Sequence, residues 1–493
     1  MKNIQKNVIF SSVGYILPLL AALATIPIMV QHLGEDLYGL YAICISLVGF
    51  MTLVDLGVGQ TIVKYVAEYE VTDRRQDVKP ILDISLLIYL CIGLLAAGLL
   101  YAFSPNLSAM FYTDAAQQAL GLSVLHLTAI ALFFSYMNQF FVNVCKAYHR
   151  FDIPSIIQNV GNLGGIIISS VLLLLGFSLE AIMISYIVIY ACGFGFGYWS
   201  CRRILPAGVH MGLSFNAAIF KNIVSFSFYT FISNLLASLT TRADKLVIGG
   251  IIGTGAVTYY QIPYTIAQMA NGIIHTLVQI VFPRFSELSG LNRDHELLEL
   301  YKKTTKIMLL ISMVIAVLLI SAGGEFLSIW LNPTFAAKST LTLQIIAVYF
   351  FFQSNIVTSY WLIQSKGNAK LVAWISMVGA ILYFCGLYYL GQHYSYNGTA
   401  LALFIILSPV PIWFMWLERQ VGHAFSEYLT WLFSTAAVGA LISYGLLQLN
   451  AQINNNLLAI LADGFLVVGV PLLIGLLFRK SLAPTFAMVV SRR

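Results

Sequence analysis

"HLGEDLYGLY" at residues 32–41 and "IIGTGAVTYY" at 251–260 are the two stretches on which the fold turns. Gly34 meets Gly253 and Tyr41 meets Tyr260 at an offset of 219, and the same offset pairs "KNI" at 2–4 with "KNI" at 221–223. At 220, Lys64 pairs with Arg284, Lys146 with Lys366 and Arg150 with Lys370. One inserted residue therefore relates the first half of the chain to the second. Any one match is common by chance, but several in register, over matching hydropathy, mark an internal repeat.

The repeat is built for a bilayer. Of 493 residues 59% are hydrophobic and 9% charged, with a mean hydropathy of +0.85. A soluble domain is about half apolar and a quarter charged. The longest hydrophilic run, about 284–306, is too short for a separate catalytic domain. No G-x-x-x-x-G-K-[ST] occurs to cradle ATP. "GFGFG" at 193–197 lies in an apolar segment and is expected to serve helix packing. The six cysteines show no metal spacing and no disulfide framework, so no metal or cofactor is expected. Lys2, Lys6 and "ALA" at 22–24 mimic a signal peptide, yet the apolar run continues and matches its later copy.

A helix needs about 20 apolar residues to cross the hydrocarbon. Fourteen such segments are predicted, near 8–30, 40–63, 81–103, 120–144, 154–176, 180–200, 222–250, 257–282, 306–330, 341–363, 371–390, 397–417, 427–448 and 456–478. Turn residues mark the linkers, as in "LGEDLYG" and "SPNLS". With the N-terminus inside, every Lys and Arg falls at a cytoplasmic loop or terminus except Arg242, Lys245 and Lys338. Only Lys338 lies on an outer loop. Such asymmetry is what the positive-inside rule requires, and it places both termini in the cytoplasm.

The expected fold is therefore an all-α polytopic membrane protein. Two six-helix lobes, 1–210 and 211–420, precede an appended helix pair and tail at 421–493. Six spans is an even number, so the copies are parallel repeats, related by an axis along the membrane normal with a site at their interface.

Charges inside spans point to that site, since each costs about 2.5–3.5 kcal/mol at mid-membrane and so faces protein or water. In "SLTTRADKLVIGG" (238–250), Arg242, Asp244 and Lys245 interrupt span 7. Ser227, Thr230, Asn234, Ser238, Thr241 and Lys245 form one helical stripe there, with Arg242 and Asp244 on its borders. Lys245 lies about 10 Å of helix from the "GTG" turn, towards the outer part of the span, and is expected at a cavity wall. Span 8 carries Tyr264, Gln268, Asn271, His275 and Gln279 on one face, and His275 pairs with Asp55 of span 2 at the 220 offset. Thr128, Ser135, Gln139 and Asn143 stripe span 4, and Tyr349, Gln353, Tyr360 and Gln364 stripe span 10. Together these faces imply a hydrated lumen between the lobes. Plainer accounts stand beside that one. The Arg-Asp-Lys cluster also suits a snorkelling group with a local ion pair, and Asp55 a packing residue beside Gly57 and Gly59. His275 suits a structural histidine, and the amides suit interhelical hydrogen bonds.

"LGEDLYGLYAICISLVGFMTLVDLGVGQTIVKYVAEY" (33–69) resembles the first two spans of polysaccharide transporters in the MOP exporter superfamily. "RADKLVIGGIIGTGAVTYYQIPYTIAQ" (242–268) is similar to the family's seventh and eighth spans, and "FPRFSEL" (282–288) fits their continuation. The resemblance covers essentially the whole chain. It implies a flippase, not an enzyme, moving an undecaprenyl-diphosphate-linked oligosaccharide across the bacterial cytoplasmic membrane by ion-coupled alternating access.

On that basis Arg242 and Lys245 are expected to bind the diphosphate. Asn234, Thr241, Tyr264, Gln268, Asn271 and Gln279 would bind sugar in the lumen. Lys64 and Arg284 would collect the head group at the cytoplasmic entrance, or act only as positive-inside anchors. Asp55, Asp244 and His275 are candidates for a coupling proton. Expected partners are the polyprenyl-diphosphate glycan, membrane lipid and polysaccharide polymerase or assembly proteins, with no nucleic acid. The alternatives are a MATE-like drug/proton antiporter, which normally stops at twelve spans, and a lipid II-type flippase. A membrane-bound polymerase would need a larger outer loop than those near 104–119 and 331–340.

Overall fold

A computed structural model describes residues 2–53, 58–59, 62–63, 65–66, 78–148, 150, 152–205, 211–217, 220, 244–291, 293–365, 369–422, 425–453 and 455–469. Among them every regular element is a helix. Hydrocarbon offers the backbone no hydrogen-bond partner, and a helix satisfies its own N–H and C=O groups within one segment.

The helices are α1 (Lys2–Leu53), α2 (Val78–Phe111), α3 (Ala115–Ala147), α4 (Asp152–Leu174, with a π turn at Val160–Gly164), α5 (Leu179–Ile204), α6 (Asp244–Ile251) and α7 (Thr254–Gly290). They continue as α8 (Asp294–Ser321), α9 (Gly323–Trp330), α10 (Pro333–Ser365), α11 (Ala369–Ala402), α12 (Pro411–Val421), α13 (Phe425–Asn450) and α14 (Asn456–Gly464). Nine helical segments among the described residues are long and apolar enough to cross a membrane. Two of these, Ala21–Phe50 and Trp374–Arg419, each take in residues of two expected spans. The expected eighth span is helical too, as α7. The fourteenth is described only as α14 and a π turn at Phe465–Gly469. Most of the seventh, before Asp244, lies outside the described residues. The chain is a multi-pass membrane protein of the expected class.

At "LGEDLYG" two helical segments of α1 meet at Gly34, whose φ of 76° and ψ of 173° suit glycine alone, so the turn falls where the glycine is read. A second expected linker is shorter than its turn residues suggest. "SPNLS" lies inside α2, with Pro105 within the helix and the Ser104 hydroxyl donating to the Leu100 carbonyl at 2.6 Å. Helix-breaking residues are tolerated where protein and hydroxyls satisfy the backbone. The turn itself shrinks to 112–114, where Asp114 accepts from the Ala116 and Gln117 N–H groups, each at 3.1 Å, and caps α3.

Contacts divide the chain into two units, Met1–Thr258 with Leu387–Ser395, and Tyr259–Gly386 with Tyr396–Arg493. In the first, α2 and α3 enclose Tyr89, Tyr136 and Phe140, with the two tyrosine rings 5.1 Å apart. Gly193 and Gly197, one turn apart, bring α5 onto Asn138 and Phe141 of α3, which is the packing expected of "GFGFG". In the second, Phe414 of α12 stacks on Tyr428 of α13 at 4.1 Å. Lys302 of α8 donates to Glu427 at 2.6 Å, and Asn450 donates to the Ser321 carbonyl at 3.2 Å and to Asp463 at 2.9 Å. The residues after 420 thus pack on α8 within the second unit.

Candidate functional site

Asp244 and Lys245 are the first described residues of α6. The Asp244 carboxylate accepts the Lys245 main-chain N–H at 2.8 Å and lies 3.4 Å from its ammonium. Both residues are buried, at 1% and 5% exposure. Gly249 of the same helix rests on Ile43 and Phe111, and Gly250 on Met110, which draws α6 against α1 and α2. The pair therefore lies buried within the first unit. Arg242, Asn234 and Thr241, expected to act with Lys245, lie outside the described residues, as do Asp55 and Lys64.

The α7 stripe is placed in the second unit, in several environments rather than one. Tyr264 is buried, with Tyr260 and Phe350 rings each 5.6 Å away. Gln268 is exposed and Asn271 is 5% exposed. The side chain of Gln279 lies outside the described residues. At the far end of α7, Arg284 is exposed and paired with Glu287 at 2.6 Å, as a positive-inside anchor would be.

Asn271 is the centre of a polar network that joins α7 to α10. Its amide donates to Gln353 Oε1 at 2.9 Å, and its carbonyl accepts from the Ser354 hydroxyl. Asn355, on the next position, donates to Ser312 of α8 at 3.1 Å. One turn beyond Asn271, half-buried His275 borders a cavity of about 240 Å³. Tyr349, Gln353 and Tyr360 of α10 and Trp413 of α12 share its wall with aliphatic side chains of α10, α11 and the 406–410 turn. Trp413 is 6% exposed, and its indole N–H has no hydrogen-bond partner among the described residues. An unpaired buried donor costs about 1–3 kcal/mol.

The paired stripes on α7 and α10 were legible in the sequence, including Tyr349, Gln353 and Tyr360. Trp413 was not, because its neighbours "PIWFMWL" give an aromatic run with no polar signal. Asp83 and Asp463, each 0% exposed inside a helix, were also passed over, although an acid in an apolar run is a readable signal. The α3 stripe is interhelical in part: Asn143 donates to the Tyr89 hydroxyl at 3.1 Å. Among the described residues no group of His, Cys, Asp and Glu could hold a metal ion.

Comparison with known proteins agrees with this architecture. Residues 4–289 match the family described as "Polysaccharide biosynthesis protein". A relative from Shigella flexneri, described as "Putative O-antigen transporter", is 22% identical over 429 residues, covering 86% of this chain and all of the relative. The solved structure of the lipid II flippase MurJ in an inward closed conformation superposes with a TM-score of 0.76 at 14% identity, covering 96% of this chain and 100% of that one. An inward-facing multidrug resistance MATE family transporter of the MOP superfamily gives 0.67 at 13% identity, covering 83% of this chain and 94% of that one. At such identities the structures speak for the fold. All these relatives are transporters or proteins of polysaccharide biosynthesis, and the enzyme alternative falls away.

Proposed function

Because the chain belongs to the polysaccharide biosynthesis protein family, we propose that it is a flippase for an undecaprenyl-diphosphate-linked oligosaccharide. It moves the repeat unit from the inner to the outer leaflet of the bacterial cytoplasmic membrane for cell-surface polysaccharide assembly. The observation that carries this is the match, over 86% of this chain and the whole of the relative, to a protein described as "Putative O-antigen transporter". The fold shared with a lipid flippase over 96% of the chain favours this reading over drug/proton antiport, since the MATE structure covers 83%.

In this scheme the lobes at 1–210 and 211–420 alternate access to a lumen, with 421–493 appended and both termini cytoplasmic. Arg242 and Lys245 draw the diphosphate, Arg by a bidentate pair and Lys as a point charge. Asn234, Thr241, Tyr264, Gln268, Asn271 and Gln279 meet sugar hydroxyls. Lys64 and Arg284 receive the head group at the cytoplasmic entrance. Asp55, Asp244 or His275 carries a proton whose return down its gradient drives the cycle. A polymerase takes the delivered unit at the outer face.

The test is translocation of the lipid-linked oligosaccharide by the purified full chain in proteoliposomes, with and without a proton gradient. Transport that collapses in Arg242→Ala and partly returns in Arg242→Lys is expected. Wild-type protein that moves no such lipid sinks the function, and transport indifferent to the gradient removes the coupling.

A further inference from the structure

The cavity beside His275 lies wholly within the second unit, among α7, α10, α11 and α12. One side is aromatic: the Tyr360 and Trp413 rings stand 6.2 Å apart, tilted at 46°, and Tyr349 adds a third. The polar groups are few and specific. Among the described residues they are the imidazole of His275, the amide of Gln353 and the hydroxyls of Ser376, Tyr349 and Tyr360. Asn271 holds the Gln353 carbonyl at 2.9 Å, which fixes that amide and leaves its N–H₂ end for another partner. The remaining wall is aliphatic, including Ile356, Val357 and Ile375.

Each property narrows the occupant. A volume of about 240 Å³ is the liquid share of about eight waters, and it falls below the range of about 300–1,000 Å³ typical of drug-sized ligands. Among the described residues neither Lys nor Arg borders the cavity, so a diphosphate meets no described cation there. A polyprenyl tail has no use for an amide, an imidazole and hydroxyls set around one space. A pyranose ring answers to all of them. Its C–H face packs on aromatic rings, and its hydroxyls accept from Gln353 and exchange hydrogen bonds with His275 and Ser376.

The geometry points to a saccharide subsite: the cavity bounded by His275, Gln353, Tyr360 and Trp413 takes one sugar ring of the transported glycan. This rests on the flippase reading above, and it separates sugar recognition from diphosphate binding, which meets no described cation in this cavity. The subsite selects the glycan while the head group is held elsewhere.

The experiment measures initial rates in proteoliposomes for the native lipid-linked oligosaccharide, with sugar-free polyprenyl monophosphate as competitor. Gln353→Ala loses the amide and is expected to transport several-fold more slowly at low substrate. Trp413→Leu loses the aromatic face and should fall by about tenfold or more. Competition by the sugar-free lipid should be unchanged in both. Trp413 also packs in the core, so if the leucine variant fails to fold, the Gln353 variant carries the test. Folded variants that transport at the wild-type rate overturn the subsite. Weakened competition by the sugar-free lipid overturns it in favour of the tail. A wild-type protein that moves no lipid-linked glycan is the different failure, that of the flippase reading itself.

Discussion

Gly39 of α1 lies so close to the main chain of Thr254 that a Cβ at position 39 would overlap the Thr254 carbonyl oxygen. Beside this contact, the Thr258 hydroxyl donates to the Glu35 carbonyl at 2.5 Å. The two turns paired by the repeat therefore touch, and both turn glycines, Gly34 and Gly253, have positive φ, at 76° and 116°.

A backbone oxygen cannot rotate out of the way, so Gly39→Ala is expected to lower stability by about 1–3 kcal/mol or more. Gly98→Ala, where an added Cβ meets nothing within 4 Å, is the control. Thermal unfolding of both variants in nanodiscs makes the comparison, and equal midpoints would contradict the close approach.

Lys245→Ala leaves the Asp244 carboxylate buried without its ammonium partner, a loss of about 3–5 kcal/mol in comparable pairs. The double variant Asp244→Asn/Lys245→Met removes both charges and should recover most of the folded yield. Size-exclusion profiles of the two variants decide this. The same comparison protects the transport assay, because a dead Lys245→Ala alone does not distinguish lost substrate binding from lost protein.

Asp83 accepts from the Lys79 ammonium at 2.7 Å, the Gly212 N–H at 2.6 Å and the Ser214 hydroxyl at 2.5 Å. It ties the segment after α5 to the start of α2. Hydrogen bonds to a charged group contribute about 1.5–3 kcal/mol. Asp83→Ala should therefore speed tryptic cleavage after exposed Arg203 by about tenfold or more, with Asp83→Asn between. Unchanged digestion would show that the anchor is dispensable.

Asn450 joins the Ser321 carbonyl to the buried Asp463 carboxyl, and Asn450→Leu strands both. A drop of about 1–3 kcal/mol in unfolding stability is expected. Asn450→Leu/Asp463→Leu, which leaves no stranded acid, should lose less. Guanidinium or thermal titration in detergent reads the difference, and additive losses would argue against the coupling.

The stripes on α7 and α10 were readable because i, i+4 and i+7 spacing survives in any helix, and they include Asn271, His275 and Gln353. The spacing placed Gln268 and Tyr264 in the same class, yet one is exposed and the other sits in an aromatic cluster. Periodicity reports an angle around one helix; depth and neighbours belong to the packing. The charges of "RADK" were likewise conspicuous in sequence, but nothing local reveals that Lys245 finds Asp244 inside the protein.

The bilayer made the rest of the fold legible. Hydrocarbon forces each crossing segment to satisfy its own backbone, so composition and length alone dictate helices, their approximate number and the repeat that relates them. Whether a glycine or proline ends a helix depends on what packs against it, which is why "LGEDLYG" breaks at Gly34 while "SPNLS" runs on as helix. The cavity depended on tertiary structure entirely. Trp413 stands 138 residues from His275 in the numbering, and only the packing of the helices brings both to the wall of the same small space.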